Sequence, residues 1–150
     1  MQERKQKKFT EKGSNMHRFK IPMKPVSLNQ AYMIRRGVGL ALSKQGRKFR
    51  DNCQDFFKEQ FLEDELLEGK LKVTIFFQLR DFREKIDIDN MFKLLIDSMK
   101  GVVIVDDSQI YKLSGEKEIG MTRNEIHITV EEYREKELEN GNVELEELFE

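Results

Sequence analysis

The segment Leu71 to Leu79 (LKVTIFFQL) puts Leu71, Val73, Ile75, Phe77 and Leu79 on one face and polar groups mostly on the other. That period of two marks a strand with a buried face, and Phe76 implies that the second face is partly covered too. A polar stretch, RDFREKIDI, follows. Residues Asn90 to Lys100 then repeat apolar groups at helical spacing, with Phe92, Leu95, Ile96 and Met99 on the core side. Gly101 stands where a helix ends in a left-handed residue. The apolar run Val102 to Val105 reads as a short buried strand that closes on Asp106 and Asp107. A strand, a helix and a strand in succession direct the chain to an α/β layered fold.

The remaining segments agree. Met16 to Ile21 reads as a first strand, stopped by Pro22 and Pro25. Residues 31–42 read as a hairpin around Gly37 and Gly39. Ser43 is an N-cap for a helix from Lys44 to Leu62, whose apolar face is Phe49, Cys53, Phe56, Phe57 and Phe61. Gln109 to Lys117 and Glu125 to Glu132 supply two more strands. The expected architecture is a single small α/β domain, a mixed β-sheet packed with two helices.

At 150 residues the chain has length for one domain and one core. Charged residues make up 37% and hydrophobic ones 38%, too many apolar groups for wholesale disorder. No apolar run approaches the roughly 20 residues of a membrane helix, and the start does not resemble a signal peptide. The single cysteine, Cys53, excludes an internal disulfide and a cysteine-rich zinc site. His17 and His127 are too far apart in sequence to suggest a histidine metal site. These features place the expected protein in the cytoplasm, with no membrane partner.

Charge is unevenly spread. Residues 1–50 carry a net +12, residues 51–130 a net −6 and residues 131–150 a net −7. The expected organisation is a basic arm at 1–15, a folded domain at 16–131 and an acidic tail at 132–150. A basic first third suits a polyanionic partner, although a solvated charged surface has the same signature.

The chemistry concentrates in residues 86–110, IDIDNMFKLLIDSMKGVVIVDDSQI. Asp87 and Asp89 are two apart and share a side if the segment is extended. Lys93 and Asp97 follow at intervals of four, one helical turn each. If the Val102–Val105 strand runs back beside the helix, Asp106 and Asp107 return to the mouth where Asp87 and Asp89 lie. Convergent carboxylates repel one another unless a cation neutralises them. For an all-oxygen site that cation is Mg²⁺, which keeps waters and takes one or two carboxylates plus substrate phosphate. Each residue also has a plain structural explanation. Asp89 would serve as a helix N-cap, Asp106-Asp107 as a turn, and Lys93 as a solvated partner of Asp97.

The string Asp87-x-Asp89-Asn90-x-x-Lys93, followed by Asp97, a glycine and Asp106-Asp107-x-Gln109, resembles the RusA-type Holliday junction resolvases. Upstream, Pro25, Ser27, Asn29 and Tyr32 are similar to that family's P-x-S-x-N segment. Ser43, Gly46, Phe49 and Arg50 are similar to its S-x-x-G-x-x-[YF]-R segment. The resemblance runs from about Met16 to Val130. It implies a homodimer that cuts four-way DNA junctions by paired symmetric nicks with Mg²⁺, in recombination and repair. It also implies that Asp87, Asp89 and Asp107 are the essential metal-binding carboxylates, with Asp107 favoured over Asp106, and that Lys93 is the essential lysine. The arm and the tail have no counterpart in the compact family core.

Arg80, Arg83 and Lys85 stand just before the carboxylates and are candidate phosphate contacts. Arg35, Arg36 and Arg47, with Lys48 and Arg50, form a second candidate DNA surface. A non-cleaving branched-DNA-binding protein is the rival expectation, but a pure binder gains nothing from carboxylates beside phosphate. A Mg²⁺-dependent hydrolase of small nucleotides is a third, without a base-pocket signal to support it.

Overall fold

The computed structural model describes residues 16–135; the arm at 1–15 and residues 136–150 of the tail lie outside the described residues. The elements are β1 (Met16–Ile21), α1 (Leu28–Ala31), β2 (Tyr32–Arg35), β3 (Gly39–Leu42), α2 (Lys44–Gln60), β4 (Leu71–Gln78), α3 (Asp89–Met99), β5 (Ile110–Glu118) and β6 (Glu125–Glu132). A single 3₁₀ turn, Asp107–Gln109, precedes β5.

Four strands form one mixed sheet in the order β1-β6-β4-β5. β6 pairs antiparallel with both β1 and β4, and β4 pairs parallel with β5. A parallel neighbour demands a crossover, and α3 supplies it. One face of the sheet is apolar: Phe19, Ile21, Val73, Ile75, Phe77, Ile126, Ile128 and Val130 are all buried. α2 and α3 pack on each other and join these residues in one core through Phe49, Cys53, Phe57, Leu95 and Met99. On the other face Phe76 is half-buried against the His127 ring, 6.0 Å between centroids.

Two glycines let the layers close. A Cβ on Gly115 of β5 would lie 2.1 Å from the Phe92 ring, so the absence of a side chain lets the start of α3 settle on the sheet. A Cβ on Gly46 of α2 would lie 2.3 Å from the Ala31 carbonyl oxygen. Ser43 completes this second junction. Its hydroxyl donates to the Gln30 carbonyl at 2.6 Å and accepts from the Gly46 amide at 3.0 Å. The Ser43–Gly46 spacing therefore clamps α2 to α1 and to the root of the β2–β3 hairpin.

The structure departs from expectation in three places. α1 is a third helix, one turn long, capped by the Ser27 side chain. Phe92 is half-buried, while Met91 and Leu94 are fully inside. Most consequentially, Val102–Val105 is not a strand. Gly101 adopts φ 74°, and the Met99 carbonyl accepts from the amides of Val103 (2.8 Å) and Ile104 (3.2 Å). The chain thus turns tightly on the end of α3, burying Val103 and Ile104 and exposing Val105. A four-residue apolar run fills a plug as well as it fills a strand.

Candidate active site

Two groups of side chains stand at opposite ends of α3. At its N-terminal end, burial alternates along the chain: Ile86 and Ile88 pack against the core, while Asp87 and Asp89 face solvent. Asp89 is the first residue of α3, and the N-cap position is Ile88, with no side-chain capping bond. The explanation of Asp89 as a cap is therefore removed, although its charge still suits the helix N-terminus. Neither Asp87 nor Asp89 has a protein cation or side-chain donor among the described residues. Lys117 of β5 reaches the same place, donating to the Ile86 carbonyl at 2.6 Å and pinning the loop segment that presents Asp87. Periodicity alone gave no reason to single out this lysine.

At the C-terminal end, Asp97 is a hub. Its Oδ2 accepts from the Tyr32 hydroxyl at 3.0 Å, and its Oδ1 lies 3.2 Å from Lys93 Nζ and 3.3 Å from Lys100 Nζ. Lys93 thus turns toward Asp97 and away from Asp89. Lys100 also lies 3.4 Å from Asp107 and 4.0 Å from Asp106. Burial works against its charge, but the bonds and attraction of Asp97 and Asp107 prevail and hold the ammonium above its ordinary value. Burial, then the hydrogen bond to Asp97, pushes the Tyr32 phenol up to about 12. Hydrogen bonds from Ser108, with the Lys100 charge adding to them, hold Asp106 below the usual carboxylate range. Lys100 was missed in the sequence, although its spacing of three from Asp97 was a usable signal.

Gln109 fixes the aspartate pair. Its Oε1 accepts from the amides of Val105 (2.8 Å) and Asp106 (2.9 Å), and its Nε2 donates to the carbonyls of Leu67 (2.9 Å) and Gly69 (3.1 Å). This ties the turn to the chain just before β4, at the opposite end of β4 and β5 from Lys117 and the α3 N-terminus. The expected return of Asp107 to the mouth is therefore corrected. α3 has 11 residues, so about 16 Å of helix separates its two ends. Among the described residues no cluster of three His, Cys, Asp or Glu side chains is placed to hold a metal. Asp87 and Asp89 nonetheless make an oxygen-only pair of the kind Mg²⁺ accepts beside its waters.

Residues 22–131 match the family described as Endodeoxyribonuclease RusA. The chain belongs to the RusA family of endodeoxyribonucleases. No curated protein matches it closely enough to count as a relative. Both ends of α3, the Ser43–Gly46 clamp and the Gln109 anchor fall within the matched RusA region.

The candidate DNA contacts divide between the same two places. Arg80, Arg83 and Lys85 lie in the loop from β4 to α3, beside Asp87. Arg83 pairs with Asp81 at 3.2 Å, while the side chains of Arg80 and Lys85 are exposed and have no carboxylate partner among the described residues. Arg35 and Arg36 stand at the hairpin turn and Arg47 on α2, all exposed and equally without a carboxylate partner among the described residues. Lys48 is exposed beside them on α2, and Arg50 pairs with Asp51 at 3.2 Å. No described helix is long and apolar enough to cross a membrane.

Proposed function

We propose that this RusA-family nuclease is a Mg²⁺-dependent crossover-junction endodeoxyribonuclease, a homodimer that resolves four-way DNA junctions by paired symmetric nicks in recombination and repair. The observation that carries the reading is the Asp87–Asp89 pair at the mouth of α3, without a cation partner among the described residues and inside the region matched to the family. Two exposed carboxylates with no protein cation on them are costly beside a polyanion unless a divalent ion joins them.

Asp87 and Asp89 would hold Mg²⁺, which neutralises phosphate charge and activates water. Asp107 is assigned to the same site, but one chain does not bring it there. A symmetric dimer offers the remedy: the Asp107 end of one protomer completes the site begun by Asp87 and Asp89 of the other. Lys93 and Lys100 then arrive with Asp107, and the Lys93 ammonium, 52% exposed, faces the developing charge on the phosphate. Tyr32 holds Asp97 in place, so Asp97 keeps both lysines oriented. Arg80, Arg83 and Lys85 grip the backbone beside the cut.

The test is nicking of a synthetic four-way junction with Mg²⁺ and with chelator, beside linear duplex. Asp89→Asn is expected to abolish cleavage while junction binding holds or tightens, because a repulsive charge is lost together with the metal. Equal loss of binding and cleavage would assign Asp89 to the fold instead.

A further inference from the structure

Among the described residues, nothing covers the outer apolar face of the β2–β3 hairpin. Tyr32 and Leu42 form its first cross-strand pair and pack against the core. Ile34 and Leu40 form the pair two residues further out on the same face, and they are 86% and 70% exposed. Val38, in the turn, is 71% exposed. An isolated hairpin gains nothing from presenting three branched aliphatic groups to water, so the patch points to a partner.

Charge selects among partners. Arg35 and Arg36 flank the patch, and no Asp or Glu occurs between Glu11 and Asp51. Two hairpins meeting about a twofold axis would bring four guanidinium groups together. A polyanion with apolar surfaces to offer has no such difficulty. Position agrees. The hairpin springs from Tyr32, whose hydroxyl is bonded to Asp97, and Ile34 is two residues beyond, within about 7 Å of backbone.

We propose that the Ile34–Leu40 pair, with Val38, is a wedge that inserts between bases at the branch point, while Arg35 and Arg36 hold the adjoining phosphates. This rests on the junction-cleaving reading and adds how the branch is told from plain duplex. Apolar side chains pushed between base steps unstack them, and bases at a branch have already lost part of their stacking. Linear duplex resists the same insertion.

The test uses the full chain and a four-way junction carrying 2-aminopurine beside the crossover, whose fluorescence rises when it unstacks. The wild type should raise the signal, and Ile34→Ala/Leu40→Ala should lose it. The variant should bind the junction about tenfold more weakly, with linear-duplex affinity within about twofold. Because both side chains are exposed, an unchanged melting temperature is expected and certifies the fold. An undiminished fluorescence rise in the variant overturns the wedge while leaving the nuclease reading intact. Conversion of the variant from dimer to monomer in sedimentation would also overturn it, assigning the patch to a second copy of the chain. A wild type that neither binds nor cuts junctions overturns both readings.

Discussion

A site divided between two chains has a signature that a site within one chain lacks. Asp89 opens α3, whose 11 residues rise about 16 Å, while Asp107 is paired with Lys100 just past the other end; one ion with metal–oxygen distances of about 2.1 Å does not bridge such an arrangement. Consider Asp89→Asn and Asp107→Asn made separately and then mixed to exchange subunits. Each variant alone has two broken sites. In the mixed dimer, one site joins both lesions and the other joins an intact Asp89 to an intact Asp107. Random exchange makes half the dimers mixed, so about a quarter of wild-type sites return. The assay is a supercoiled plasmid with an extruded cruciform. Paired nicks linearise it, whereas the mixture should yield open circles from single nicks. Exchange is verified by capture through a tag on one variant. Proven exchange with no nicking above either variant alone would refute the argument, because a site within one chain stays broken in every dimer.

Gly46→Ala should destabilise the fold by about 1–3 kcal/mol in a denaturant titration. The roughly 1 kcal/mol gained in helix propensity is outweighed by a clash 2.3 Å from the Ala31 carbonyl, a backbone group that cannot rotate away. An unchanged midpoint would show that α1 and α2 are not clamped there. The Tyr32 phenol titrates at about 12 in the fold against 10.0 for its ordinary value. A raised value of this kind gives stability that is complete below pH 10 and lost as pH rises through about 12. Allowing for solvent screening, its worth is about 1 kcal/mol. Difference absorbance against Tyr32→Phe reads the titration directly, and Asp97→Asn should lower the value without returning it fully, since burial is the larger cause.

The regular elements were legible because their signals are local. The alternation in Leu71–Gln78 sees only the face of a sheet, and Ser43 caps α2 with its own hydroxyl. Gly101 ends α3 in the left-handed conformation its position implied. What could not be read depended on contacts distant in sequence. Nothing in VVIV tells a strand from a plug; the outcome is set by Leu67, which donates its amide to the Val103 carbonyl at 2.8 Å. Likewise the role of Gln109 emerges only when Leu67 and Gly69 are seen beside it. The assembly of the candidate site was not legible: spacing proposed that the carboxylates converge, whereas the chain turns tightly after Met99 and leaves Asp107 beside Lys100, at the other end of α3 from Asp89. The basic arm and most of the acidic tail lie outside the described residues. The part of the tail that is described runs on along the β6–β4 ladder, with the Tyr133 amide bonded to the Lys70 carbonyl at 2.9 Å and Lys70 paired with Glu135.

The proposed division of the site between two protomers also bears on control of the reaction. Within one chain, Lys100 already pairs with Asp107 and both lysines are held by Asp97, so the carboxylates of the C-terminal cluster are largely offset by protein cations. At the other end Asp87 and Asp89 are not. A lone protomer would thus hold at most a weak two-carboxylate cation site, and cutting would wait for a second protomer to bring its aspartate and lysines. For the junction-cutting dimer proposed above, that arrangement would tie the first nick to the presence of the machinery for the second. A monomer with the carboxylates already gathered would nick DNA whenever it met it, and the paired cut would depend on chance.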